Sequence, residues 1–268
     1  MSDPWTGEAI AARVARERIA HQDSRIDDAL RRWWAVFPHV FSNPSMENLG
    51  AFYVHELGSV RGRRVLEYGC GQGDFALWLL DQGASVCGID VSEFNIERCR
   101  EKAEARRLEP ERYSFMAMDA HTLNFPDSSF ELLLGNGILH HLELSVAMAE
   151  IDRVLKPGAK ALFQEPLGEN PILKMYRKVA GIHTSDERPL VRKDLDYLRT
   201  RWRMRVRYSG IVTLPFAIAT SIVLRPYPNN WLLRIAAGLE ERLHDRHTLD
   251  HWNRFAVLVY EKPKVDGT

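Results

Sequence analysis

The sequence is short of several things at once. Cysteine occurs three times in 268 residues, at Cys70, Cys87 and Cys99, and no two form a C-x-x-C pair. That argues against a disulfide framework or a zinc site and fits a reducing cytoplasm. No excess of charge exists: Lys+Arg and Asp+Glu each number 36, so there is no overall footprint for nucleic acid. The longest apolar run, Ile211–Leu224, is broken by Pro215 and falls short of the ~20 residues a membrane-spanning helix needs. Met1–Glu8 is polar and lacks the apolar stretch of a signal peptide. The chain is therefore expected to be cytoplasmic, without stable membrane insertion and without a nucleic-acid partner. Its ten histidines form no H-E-x-x-H helix, and neither a G-x-S-x-G elbow nor a Walker lysine is present. A late group, His244, Asp245, His247, Asp250 and His251, would span more than one face of a helix. It reads as polar surface or pocket rim, so no metal is expected.

What is there begins at Val65–Asp74, V-L-E-Y-G-C-G-Q-G-D. Val65, Leu66 and Tyr68 suggest a short buried strand with Glu67 near its carboxyl end. Gly69, Gly71 and Gly73 then let the backbone turn and approach a ligand. The apolar run Phe75–Leu80, stopped by Gly83, reads as a helix. Strand, glycine turn and helix open a nucleotide-binding α/β sheet. A dinucleotide fingerprint would place its third glycine at position 74, where this chain has Asp74. A dinucleotide oxidoreductase is thereby disfavoured. Acids at both ends of the turn would repel a pyrophosphate and attract a nucleoside carrying a sulfonium and an ammonium.

Ser85–Ile89 reads as a second strand ending at Asp90, about 20 residues beyond the turn, where such folds place a ribose-binding acid. Tyr113–Met118 reads as a third, ending in Asp119-Ala120. With E-Y-G-C-G-Q-G at 67–73, G-I-D at 88–90, M-D-A at 118–120, I-L-H-H-L at 138–142 and R-V-L-K-P-G at 153–158, the chain resembles the class I S-adenosylmethionine-dependent methyltransferases, in the small-molecule branch called the type 11 methyltransferase domain. The resemblance covers residues 45–170 well and the tail to Tyr260 more loosely.

Alternation continues along the chain: strands over 65–68, 85–89, 113–118, 130–134, 160–165, 202–209 and 254–261, with helices over 74–82, 93–107, 145–155 and 192–200. This pattern argues an α/β fold, a Rossmann-like, mostly parallel seven-stranded sheet with helices on both faces. Residues 7–35 look helical and amphipathic, and Ser45–Leu57 reads as another helix. Residues 1–58 form an N-terminal helical extension, for which the resemblance implies a lid and packing alone implies a scaffold. Residues 59–268 form the domain itself, with a helical insertion at about 166–250. Within it, Ile211–Leu243 is apolar and aromatic-rich, suiting core packing or the wall of an apolar acceptor pocket. Arg201–Arg207, with arginine at alternate positions, reads as the solvated face of a strand.

The resemblance implies S-adenosyl-L-methionine as cofactor, leaving S-adenosyl-L-homocysteine as product, and a small-molecule acceptor; the chain is expected to be a monomer or homodimer. It implies Gly69, Gly71 and Gly73 as the floor against the cofactor and Glu67 as anchor of the methionyl ammonium. Asp90, with Val91 beside it, takes the ribose hydroxyls. Asp119 and Ala120 hold the adenine, and Asn136 the methionyl moiety. Three residues are candidates for chemistry. His140 and His141 lie beyond the fourth strand, where ligands collect in open α/β sheets, and either can act as general base. Glu165 closes the fifth strand and could serve as base, cation stabiliser or turn carboxylate. Two activities fit: methyl transfer in a biosynthetic pathway, or use of the cofactor-bound pocket for a non-methylating reaction such as a cyclisation.

Overall fold

The computed structural model describes residues 35–180, 188–243 and 247–264. The helix expected over 7–35 lies outside the described residues but for Ala35, as do His244 and Asp245 of the late polar group. Seven strands form a single sheet: β1 (Arg64–Tyr68), β2 (Ser85–Asp90), β3 (Tyr113–Ala117), β4 (Phe130–Asn136), β5 (Leu155–Pro166), β6 (Arg205–Ser209) and β7 (Phe255–Glu261). Their order is β3-β2-β1-β4-β5-β7-β6. The pairs β1/β2, β1/β4 and β2/β3 are parallel, with Glu67 opposite Gly88 on one side and Leu134 on the other. The α-helices among the described residues are α1 (Pro38–Phe41), α2 (Pro44–Leu57), α3 (Asp74–Asp81), α4 (Glu93–Ala105), α5 (Leu144–Val154), α6 (Pro171–Ala180), α7 (Arg192–Trp202), α8 (Thr213–Val223) and α9 (Trp231–Leu243), with short 3₁₀ helices at Pro110–Arg112, Leu139–His141 and His247–Trp252.

The described residues divide into two compact units. The first comprises Leu57–Phe163 and the chain from Val259. Its centre is β1 and β4, where Val65, Leu66, Tyr68 and Leu132–Leu134 are fully enclosed, as strands covered on both faces must be. The chain leaves β1 through β2 to β3 and then returns to the opposite side of β1 for β4. That reversal is a topological switch point, and the crevice beyond the strand ends there is where such sheets bind ligands. Helix starts around the crevice are built locally. Ser92 Oγ accepts from Asn95 N–H at 3.3 Å to cap α4, and Glu143 accepts from Val146 N–H at 2.7 Å to cap α5.

The second unit, among described residues, comprises 35–56 and Gln164–Leu258. Val40, Leu173, Leu214, Ala217 and Leu233 form its apolar core. Glu240 and Arg254 are among the charged groups enclosed in this unit. The Glu240 carboxylate accepts from the N–H groups of Gly210 (2.7 Å), Val212 (3.0 Å) and Thr213 (2.9 Å), from Thr213 Oγ1 (2.9 Å) and from Ser45 Oγ. It thereby satisfies donors at the start of α8 that no backbone carbonyl reaches. Arg254 lies over the rings of Phe41 at 4.3 Å and Phe255 at 4.6 Å and donates to Val40 O. Burial pulls its pKa down to about 9.

The arginine-rich stretch differs from the strand expected of it. Arg201 belongs to the last turn of α7, and Arg203, at φ +51°, ends that helix in a left-handed conformation. Only Arg205 and Arg207 lie on β6, and neither is merely solvated. Arg205 donates to both oxygens of Glu56 at 2.8 and 2.8 Å, and Arg207 pairs with Glu241. β5 also starts earlier than expected, at Leu155 directly after α5.

Candidate active site

The glycine turn closes on the end of β2. Gly69 N–H and Cys70 N–H both donate to Ile89 O, at 2.9 and 2.8 Å, which pins the turn against the neighbouring strand. Gly71 N–H donates to Asp90 Oδ2 at 2.9 Å. The other oxygen, Oδ1, accepts from Ser92 N–H (2.9 Å) and Asn95 Nδ2 (3.2 Å). The helix cap is thus Ser92, and Asp90 is free of that duty. It organises both loops while retaining acceptor capacity, since an ionised carboxylate offers about four lone-pair sites. A Cβ on Gly71, whose φ is +50°, would meet no protein atom within 4 Å, whereas one on Gly73, φ +79°, would lie 2.7 Å from Cys99 Sγ. Gly71 faces open space; Gly73 is needed for packing and for the left-handed start of α3.

Beyond β3 the loop is held from two directions. Tyr68 OH, fully enclosed, donates to Ala120 O. Asp119 Oδ1 accepts from His121 N–H at 2.8 Å and from His121 Nδ1 at 2.9 Å. His121 Nε2 in turn accepts from Glu143 N–H at 2.9 Å. An Nε2 that accepts a backbone proton carries none itself, so the imidazole is the Nδ1–H tautomer. One buried ring therefore ties the loop after β3 to the start of α5, immediately after the histidine pair.

A cavity of about 170 Å³ lies between these loops. Eight of the expected residues line it: Gly69, Gly71, Asp90, Val91, Asp119, Ala120, Asn136 and His141. Four do not. Gly73 supports the turn from behind. His140 is buried, its ring 4.0 Å from that of His141 between centroids. Glu165 is fully enclosed in β5 and falls in the second unit, whereas a strand-end position had suggested the rim. Glu67 is enclosed behind the turn: it takes the Ala76 N–H, and its Oε2 has no hydrogen-bond partner. Burial, then the fields of Cys99 and Asp90, hold its carboxyl well above the usual range, opposed by the Ala76 N–H. Phe94, a candidate for packing on a nucleoside, lines a separate surface groove with Glu97 and Arg100. Ile89, Met118, Gly137, Ile138 and Leu142 complete the wall. They carry no chemical signature in the sequence, although each adjoins a residue that does.

Among the described residues the wall thus holds the carboxylates Asp90 and Asp119 and no lysine or arginine. Residues 66–163, which contain every one of these lining positions, match the family model described as "Methyltransferase domain". Residues 66–163 are a methyltransferase domain. The cofactor of this domain, S-adenosylmethionine, is cationic at its sulfur and its amino group, and the wall fits it. Among the described residues, negative charge faces the cavity without a competing lysine or arginine, and Gly71 leaves room where any side chain would intrude.

Relatives agree with the domain assignment. The chain is similar to an S-adenosyl-L-methionine-dependent Diels-Alderase of Talaromyces variabilis, 27% identical over 59% of this chain and 58% of that protein. It is 35% identical to the fatty-acid O-methyltransferase of Mycolicibacterium smegmatis over 45% of this chain and 43% of that one. The chain therefore spans less than two thirds of the length of these curated relatives. The crystal structure of the [4+2]-cyclase SpnF shares the fold, with a TM-score of 0.55, 23% identity and coverage of 82% of each chain.

Proposed function

We propose that the chain transfers the methyl group of S-adenosylmethionine to a small, apolar or aromatic metabolite in the cytoplasm. The observation that carries this reading is the sign of the cavity wall, two carboxylates and, among the described residues, no lysine or arginine, which favours a sulfonium nucleoside over a phosphate-bearing one. Bound there, the cofactor supplies an electrophilic methyl group. The chain's own residues would bind, orient and exclude water. Gly69 and Gly71 form the floor, with Gly73 fixing the turn. Asp90, beside Val91, accepts from the ribose hydroxyls, Asp119 and the Ala120 N–H hold the adenine, and Asn136 contacts the methionyl end. Glu67 acts from behind, as support for the turn. His141 is the candidate general base because it lines the cavity; His140, packed against it, orients it. No role at the acceptor is assigned to Glu165, and residues 1–58 are assigned the lid.

The test is calorimetric titration with S-adenosylhomocysteine on the natural chain and on Asp90→Ala, paired with transfer of a labelled methyl into an extracted acceptor. Binding that Asp90→Ala leaves unchanged would sink the assignment. A second reading, cyclisation in a cofactor-bound pocket, is favoured by the names of two relatives, the Diels-Alderase and the [4+2]-cyclase. It predicts the same binding with no label transferred.

A further inference from the structure

Helix α9 is apolar on two sides. Leu233, Ala236 and Ala237 are buried on the inner one. Trp231, Ile235 and Leu239, spaced four apart and so aligned along one face, are 65%, 55% and 45% exposed. The apolar surface continues into the preceding turn. α8 ends on Ile222 and Val223, exposed at 71% and 78%, and Tyr227 stands out at 65% between Pro226 and Pro228. Single exposed apolar residues are ordinary, whereas a run of them at one end of a helical pair marks a contact surface. An outward apolar stripe is not required by the packing of the inner face.

Charge selects the occupant. From Ile222 through Leu239 the only charged residues are Arg225 and Arg234, and there is no acid. Two copies meeting through this patch in an isologous contact would set arginines beside arginines with no carboxylate from the patch to answer them. An anionic lipid surface answers both features. Trp and Tyr settle at the headgroup boundary, aliphatic tips enter the acyl edge and arginines meet phosphates. No helix among the described residues is long and apolar enough to cross a membrane, so the contact is peripheral.

We propose that the turn between α8 and α9, with the Trp231–Ile235–Leu239 stripe, docks this protein onto anionic lipid bilayers. The proposal goes beyond methyl transfer and does not rest on it. If the acceptor is apolar, docking would bring the domain to the phase in which such a molecule dissolves.

The test uses the full chain and co-sedimentation with vesicles of phosphatidylcholine alone or mixed three to one with phosphatidylglycerol. The expected result is partition onto the mixed vesicles at least tenfold above neutral ones, falling as salt is raised. V223E/W231E should lower that partition at least tenfold with S-adenosylhomocysteine affinity and melting temperature unchanged. Trp231→Ser, a milder change at an exposed site, should lower it severalfold and covers the case in which the double variant misfolds. Absence of binding to mixed vesicles, equal binding to both kinds, or variants that bind like the natural chain would each overturn the proposal. So would self-association that Trp231→Ser abolishes while vesicle binding is absent, since the surface would then belong to a second copy. Cofactor affinity, read in the same samples, fails or survives separately from docking.

Discussion

Gly71→Ala separates the cofactor reading from the fold. The added methyl meets no protein atom within 4 Å, and the position lines the cavity. Its cost to folding is confined to holding an L-residue at φ +50°, about 1–2 kcal/mol. For a chain of this size that lowers the melting temperature by about 2–8 °C, leaving the protein folded at 25 °C. Its cost to binding has a different origin. A ligand seated on the turn must yield to the methyl or move away, and overpacking of this kind costs about 1–3 kcal/mol. S-adenosylhomocysteine should therefore bind roughly 5- to 150-fold more weakly, at 1.4 kcal/mol per factor of ten. Calorimetric titration and a thermal melt on the same preparation give both numbers. An affinity within twofold of the natural chain, in a protein that still melts cooperatively, would refute the argument that the cofactor lies on this turn.

Gly73→Ala should fail in the opposite way. Its Cβ would lie 2.7 Å from Cys99 Sγ, so melting temperature falls before affinity does, and adding Cys99→Ala should recover part of the loss. Glu67→Gln should stabilise. The native carboxyl holds its proton above the ordinary value of 4.5, so the folded chain binds more protons than the unfolded one and stability declines as pH rises from that value towards the raised one. The gain of the variant in thermal melts should accordingly be small near pH 5 and larger at pH 7.5, about 2–6 °C for a relieved buried group; a gain that shrinks with pH would contradict this. Glu240→Ala leaves the donors of Gly210, Val212 and Thr213 without their acceptor. Breaking a buried charged site of this kind costs about 3–5 kcal/mol, a fall of about 6–20 °C by calorimetry.

The glycine turn and the acid at the end of β2 were legible because each is a local pattern a few residues long, whereas Glu67 at the end of β1 was legible as a residue and not in its enclosure behind the turn. Apolar wall positions such as Met118 and Ile138 were not, since an apolar residue at a strand end suits core and cavity alike. The bonds of Glu240 to Ser45 and of Arg254 to Val40 span 195 and 214 residues, a separation over which periodicity carries no information. Arginine at every second position looked like a strand until Arg203 turned left-handed, a conformation that glycine would have announced and arginine did not. Glu165 ends its strand as expected, yet lies fully enclosed; position along a strand does not say which groups will cover it.

His121 works as a hinge pin. Its ring joins Asp119 to the backbone of Glu143, so the loop after β3 and the corner bearing the histidine pair share one degree of freedom. Whatever steadies the first loop steadies the second, and the corner is set before an acceptor arrives.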